Sequence, residues 1–210
     1  ERVANCLAVA GSALAPTLNL ASPTCSSAPA STFPGYQGLA ALFGASGSGK
    51  SFLALDLCAA VAADGAEWFA CRVKSAPVVY VALEGEAGFS QRVKAWQLHH
   101  GRDLPGSLRF VMQALDLRNA DDVSEIAEAV TAAGAASGLL VIDTLNRAAS
   151  GADENSVVDM GAIIAAAKDL QAKLALLEHM QNDRRAQVET LETRNQEINH
   201  RNKELRRQIE

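Results

Sequence analysis

Eight consecutive residues, Gly44, Ala45, Ser46, Gly47, Ser48, Gly49, Lys50 and Ser51, carry the spacing G-x-x-x-x-G-K-[ST]. Each position has a chemical use on a phosphate. The glycines adopt backbone angles that other residues resist, so several N–H groups can turn inward on one anion. Lys50 brings a point charge for the outer phosphates, and the Ser51 hydroxyl is a hard oxygen ligand for Mg²⁺. An apolar run, Leu39–Phe43, precedes the loop and predicts a buried strand. A helical pattern opens at Phe52, which would set the phosphates at a helix N-terminus. A Gly/Ser linker matching by chance would not bring a strand and a helix with it.

Acids complete such a site. Asp143 ends the apolar run Gly138–Ile142, where it could hold Mg²⁺ opposite Ser51, largely through water. Glu84 ends another apolar run, Pro77–Leu83, and could polarise the water that attacks a terminal phosphate. Glu86, two residues on, could serve instead.

The elements that must position these residues alternate between strand and helix signals across residues 38–175, which predicts a parallel sheet covered by helices. Pro77–Leu83 and Gly138–Ile142 read as strands buried on both faces. Leu108–Met112 is a shorter one. Glu86–His100 reads as a helix ending near Gly101. Asp121–Ala133 reads as another, capped by Asp121 or Asp122 and stopped at Gly134. Residues 1–37, rich in Ala, Ser, Thr and Pro with one Arg and one Glu, form a low-complexity leader expected to be disordered. No apolar run approaches the ~20 residues of a membrane span, so no membrane contact is expected.

Of the net charge of −5, residues 38–175 hold 11 basic and 16 acidic residues, and residues 176–210 hold seven of each. There is no basic stripe to support a strong nucleic-acid footprint. The four cysteines, Cys6, Cys25, Cys58 and Cys71, lack C-x-x-C spacing, which argues against zinc, and Cys58 reads as a core residue. A nucleotide-dependent chain works where ATP is, so a reducing cytoplasm is the expected compartment.

Beyond Gly161 there is no glycine, and beyond Pro105 no proline, so a helix can run from about Asn155 to the end. It carries a seam spaced alternately four and three: Leu170, Leu174, Leu177, Gln181, Arg184, Val188, Leu191, Asn195, Ile198, Asn202, Leu205, Ile209. Asparagines at one class of seam position fix register in two-stranded coiled coils. Residues 176–210 are therefore expected to self-associate as a parallel coiled coil, with no net charge to oppose it.

Gly38–Phe52, Val78–Glu86 and Leu140–Arg147, with Asp153-Glu154-Asn155 after them, resemble the RepA-type, RecA-like P-loop ATPases, ring-forming DNA motors. The resemblance covers residues 38–173. It implies an α/β, RecA-like P-loop NTPase core that hydrolyses ATP with Mg²⁺ and a role as a replicative helicase or related DNA motor. DNA enters as a partner through this resemblance alone. Carried over by position, Gly44 through Phe52 form the nucleotide-binding set, Lys50, Glu84 and Asp143 the catalytic set, and Ser51 with Asp143 the metal side. The match departs after Lys173. The family's next strand, which lies between the loop strand and the Asp143 strand and ends in a polar residue, is absent, and only His179 stands nearby. The core is therefore expected to be incomplete. A truncated, fused or frame-shifted product, or a partner that donates the strand, would each account for that. An adaptor carrying an inert nucleotide-binding remnant on a coiled coil is the competing reading.

Overall fold

A computed structural model describes residues 3–10, 38–65, 67–83, 85–153 and 156–209, with backbone alone for 3–10, Arg72, Glu86 and Ile209. In chain order the elements are β1 (Val3–Ala10), β2 (Leu39–Gly44), α1 (Lys50–Ala62), β3 (Glu67–Trp68), β4 (Cys71–Arg72) and β5 (Val78–Ala82). There follow α2 (Glu86–His100), β6 (Leu108–Val111), α3 (Ala120–Ala132), β7 (Leu139–Asp143), α4 (Leu145–Ala148) and α5 (Val157–Ile209). The main sheet has the order β2-β1-β7-β5-β6. Strands β7, β5 and β6 are mutually parallel, and helices cover both faces, as the alternating pattern predicts.

Alternation along the buried strands divides the core in two. Val78, Tyr80, Leu139 and Val141 pack against Leu55, Cys58 and Val61 of α1 and Phe89 and Trp96 of α2. Val79, Val81, Leu140 and Ile142 turn the other way, onto Ile126 and Val130 of α3 and Ile163, Ala167 and Leu170 of α5. Both faces are buried, which explains why β5 and β7 are apolar at every position rather than at every second one. The start of β7 passes so close to its neighbour that a Cβ on Gly138 would lie 1.9 Å from the Pro77 carbonyl oxygen, and only glycine fits there.

Three corrections follow. The leader expectation fails for Val3–Ala10: this stretch is β1, antiparallel to both neighbours, Leu7 pairing with Ala41 of β2 and Ile142 of β7. It fills the space that an incomplete core would have left open. A strand with neighbours on both sides needs no amphipathic period, so its short apolar run gave no periodic signal. Residues 11–37 lie outside the described residues. β2, expected to be buried, is the sheet's edge, with Phe43 51% exposed. The α3 cap is Asn119, not an aspartate: its side chain accepts from the Asp121 N–H at 3.0 Å, while Asp122 accepts from the Asn119 amide at 2.8 Å. That satisfies one of the orphan N–H groups of the first turn.

Helices α1 and α2 are joined through one carboxylate. Asp56 accepts from the indole of Trp68 at 3.0 Å and of Trp96 at 2.9 Å, and His100 Nε2 lies 3.1 Å away. α2 ends where expected, at Gly101 with φ 62°. Helix α5 runs without interruption through 53 residues and across position 175. Among the described residues no helix is long and apolar enough to cross a membrane.

Two substitutions test this arrangement. Leu7→Pro should lower the stability of the full chain by about 2–3 kcal/mol in urea unfolding, because the lost N–H faces a strand on whichever side it points. An unchanged urea midpoint would remove β1 from the sheet. Leu170→Ala, at a fully buried site, should cost about 2–5 kcal/mol, whereas Leu191→Ala, exposed on the same helix, should stay within about 0.5 kcal/mol for the unpartnered chain.

Candidate nucleotide site

β2 and β7 each run antiparallel to β1, so they point the same way. The loop leaving β2 and the acid ending β7 therefore stand at the same end of the sheet, two strand spacings (about 10 Å) apart across it, with Gly44 opposite Val3 and Asp143 opposite Cys6 of β1. α1 starts at Lys50 directly after the loop. Gly47 and Gly49 take φ 74° and φ 83°, the left-handed region that a side chain resists. Residues 45–49 are exposed, and no side chain caps the start of α1. A helix N-terminus of this kind leaves N–H groups directed outward, with the positive end of the helix dipole behind them.

Lys50 is the exception to that exposure. It is 7% exposed, and its Nζ donates to Gly44 O at 2.8 Å, Ala45 O at 2.5 Å and Ser48 Oγ at 3.2 Å. The ammonium is folded into the loop and satisfied by it. Ser51 is half-buried, and Phe52, the last residue of the expected binding set, is 47% exposed.

Asp143 is buried, and Tyr80 of β5 donates its hydroxyl to Asp143 Oδ2 at 2.7 Å. The Tyr80 ring is held by Phe89 at 5.2 Å and Phe110 at 6.1 Å, so the hydroxyl that orients the carboxylate is itself fixed. The sequence reading missed Tyr80. Its only signal was a hydroxyl in an otherwise apolar buried strand, where a phenol requires a partner. Leu83 N–H donates to Asp143 O at 2.7 Å and joins the carboxyl ends of β5 and β7. Glu84 lies outside the described residues, as do Glu154 and Asn155, and the Glu86 side chain is not described. His179 is far along α5, exposed and 3.5 Å from Asp183, and takes no part in the site.

A cavity of about 450 Å³ opens at the carboxyl ends of β5 and β6 rather than over the loop. Ala82, Leu83, Met112 and Gln113 line it, with Arg147 and Asp116 at its polar side. The side-chain hydrogen bond from Arg118, then its backbone N–H, holds the Asp116 carboxyl below its ordinary range. These residues went unnoticed in the sequence as a group, because three separate segments supply them.

An exposed loop at a helix start, two left-handed glycines, a lysine, a hydroxyl, and a fixed carboxylate at the same end of the sheet suit a triphosphate with a divalent cation. The donor set is hard oxygen throughout, which suits Mg²⁺ rather than a soft metal. Tyr80→Phe should keep the packing but remove the hydrogen bond to a charged group, lowering stability by about 1–3 kcal/mol in urea unfolding. The same variant should require more Mg²⁺ to bind nucleotide, as a magnesium titration would show. An unchanged midpoint and an unchanged Mg²⁺ requirement together would leave Tyr80 without a role at the site.

No curated protein and no solved structure matches the chain at a significant level. The family model of the AAA domain (AAA_25) matches residues 28–185, more than half of the chain, and spans the loop, β5, β7 and the buried part of α5. The chain belongs to the AAA-domain family of P-loop ATPases.

Proposed function

We infer that this chain binds ATP with Mg²⁺ and hydrolyses it, as a motor ATPase related to the RepA-type DNA helicases. The observation that carries the reading is the alignment of the Gly44–Ser51 loop with Asp143 at one end of the sheet, with Lys50 already desolvated inside the loop. A lysine satisfied by the Gly44 and Ala45 carbonyls can exchange those oxygens for phosphate oxygens. That exchange swaps one hydrogen-bonded state for another and leaves no buried charge unpaired. The loop N–H groups and the α1 N-terminus then hold the phosphates. Ser51 and, largely through water, Asp143 would hold the cation, Asp143 in the orientation that Tyr80 gives it. Bound Mg²⁺ would neutralise charge on the phosphate oxygens. Glu84 takes the proton of the attacking water, with Glu86 the alternative two residues away.

The DNA-motor part rests on the resemblance of Gly38–Phe52, Val78–Glu86 and Leu140–Arg147 to the RepA-type proteins. Turnover stimulated by single-stranded DNA would support it. Turnover unaffected by DNA would confine the function to ATP hydrolysis. The competing reading is an adaptor carrying an inert nucleotide-binding remnant; every described residue from His179 to Gln208 is exposed on a continuous helix, which suits association. In both readings the tail is an association helix.

Mg²⁺-dependent phosphate release by the purified chain separates the two. Lys50→Ala should weaken ATP binding about 10–100-fold by calorimetry, since it removes charge-assisted hydrogen bonds to phosphate. Glu84→Gln should lower turnover by about 10²–10⁴-fold with nucleotide still bound, because the base is lost and the cradle is not. Asp143→Asn should weaken the Mg²⁺ dependence. Retained turnover in Glu84→Gln, with its loss in Glu86→Gln, would move the role of base to Glu86. No turnover in the native chain, with ATP still bound, would favour the adaptor.

A further inference from the structure

We propose that the exposed half of α5 is one strand of a parallel heterotypic coiled coil, and that its partner is a helix of another protein with acidic residues flanking its seam. The proposal rests on the reading of the tail as an association helix and names what associates with it. The first half of the seam serves the domain itself: Leu170 and Leu174 are 0% and 2% exposed. Gln181, farther along, donates to Thr131 O at 3.3 Å. The same spacing then continues into open solvent, where Val188, Leu191, Ile198 and Leu205 are 54%, 64%, 52% and 49% exposed. A 3.5-residue apolar stripe exposed along a continuous helix is one side of a knobs-into-holes interface.

The charges beside that stripe choose the partner. Val188, Asn195 and Asn202 occupy the first heptad position and Leu191, Ile198 and Leu205 the fourth. The fifth and seventh positions, which flank the seam, then carry Arg185, Arg194, Arg201 and Arg206 against a single acid, Glu192. The other acids of this stretch, Asp183, Glu189, Glu197 and Glu204, fall on the second and third positions, away from the seam. Two of them lie beside histidines on that outer face, Asp183 at 3.5 Å from His179 and Glu204 at 3.4 Å from His200.

A second copy of the chain fits this pattern poorly. In a parallel pair Arg201 meets Arg206 of the other strand on both sides of the seam, Arg184 meets its own copy within it, and no flanking pair has opposite charge. In an antiparallel pair Asn195 falls opposite Ile198 and Asn202 opposite Leu191, while Arg194 faces Arg201. Overall neutrality of residues 176–210 does not remove this repulsion, because it is blind to position along the seam. A helix with acids facing the four flanking arginines and asparagines opposite Asn195 and Asn202 satisfies every one of these groups. A lipid surface would require a broader apolar face than a stripe interrupted by two asparagines.

The test uses the full chain and two synthetic four-heptad peptides with matching valine, asparagine and leucine seams. One carries Glu and the other Lys at the four positions facing the arginines. The chain alone, without nucleotide or DNA, should sediment as a monomer at micromolar concentration. It should bind the Glu peptide at least about tenfold more tightly than the Lys peptide, a preference that shrinks in 1 M salt. Reversing the exposed charges together (Arg194→Glu, Arg201→Glu, Arg206→Glu) should transfer the preference to the Lys peptide. A stable dimer of the chain alone would overturn the heterotypic partner and restore self-association. Equal affinity for both peptides would overturn the choice by charge. A monomer that binds neither would remove the association reading itself.

Discussion

A buried ammonium group must be satisfied, and the three oxygens that satisfy Lys50 are all supplied by the loop it belongs to. This closed local arrangement sets the rest of the site. It holds Gly44, Ala45 and Ser48 around one point, so the loop has a shape before any anion arrives. It also places the positive charge behind the exposed N–H groups instead of in water, where the field would be weakened by solvent. Lysine can occupy this place because it is a point charge on a flexible stem. Arginine, with a rigid planar fork, would not fold back on carbonyls six and five residues earlier.

A loop of this kind is useful only if the second half of the site stands at the same end of the sheet. Strand direction decides that. β1 runs against both neighbours, so its insertion preserves the common direction of β2 and β7 while satisfying the backbone groups that face each other across it. One antiparallel strand between them thus does for pairing what a parallel strand would do, at the cost of a register irregularity between Ala4 and Cys6. The acid at the end of β7 then needs a fixed orientation, and Tyr80 supplies it from the adjacent strand.

What could be read from the sequence was what depends on neighbours in the chain. The loop, the apolar β5 and β7, Asp143 at a strand end, and Gly101 in the left-handed position after α2 are all set by a few adjacent residues. What escaped depends on contacts distant in sequence. Tyr80 meets Asp143 across 63 residues. β1 meets β7 across more than a hundred, and its apolar run has no period to announce a strand. The β3–β4 hairpin was invisible for a different reason. Its turn places Phe69 and Ala70 at φ 48° and 60°, a conformation usually signalled by Asn-Gly, so its chemistry carried no turn signature. Asn119 was overlooked as a cap because two aspartates follow it, and either could have filled the same role by type.

α5 shows how one periodic pattern can serve two environments. From Ile163 to Leu174 its seam is the wall of a core built with α3, and Lys173 reaches Ser124 at 2.6 Å to fix the helix rotation. From Val188 the same period is left exposed among the described residues. No glycine or proline interrupts the passage between the two. The free stretch of 182–209, about 40 Å long at the helical rise, therefore inherits its axis and its rotation from the packing of Leu170 and Leu174. A flexible linker would let an associated helix lose its orientation to the sheet. A continuous helix does not, so whatever covers Val188, Leu191, Ile198 and Leu205 is held at a set angle to the end of the sheet that carries Lys50 and Asp143.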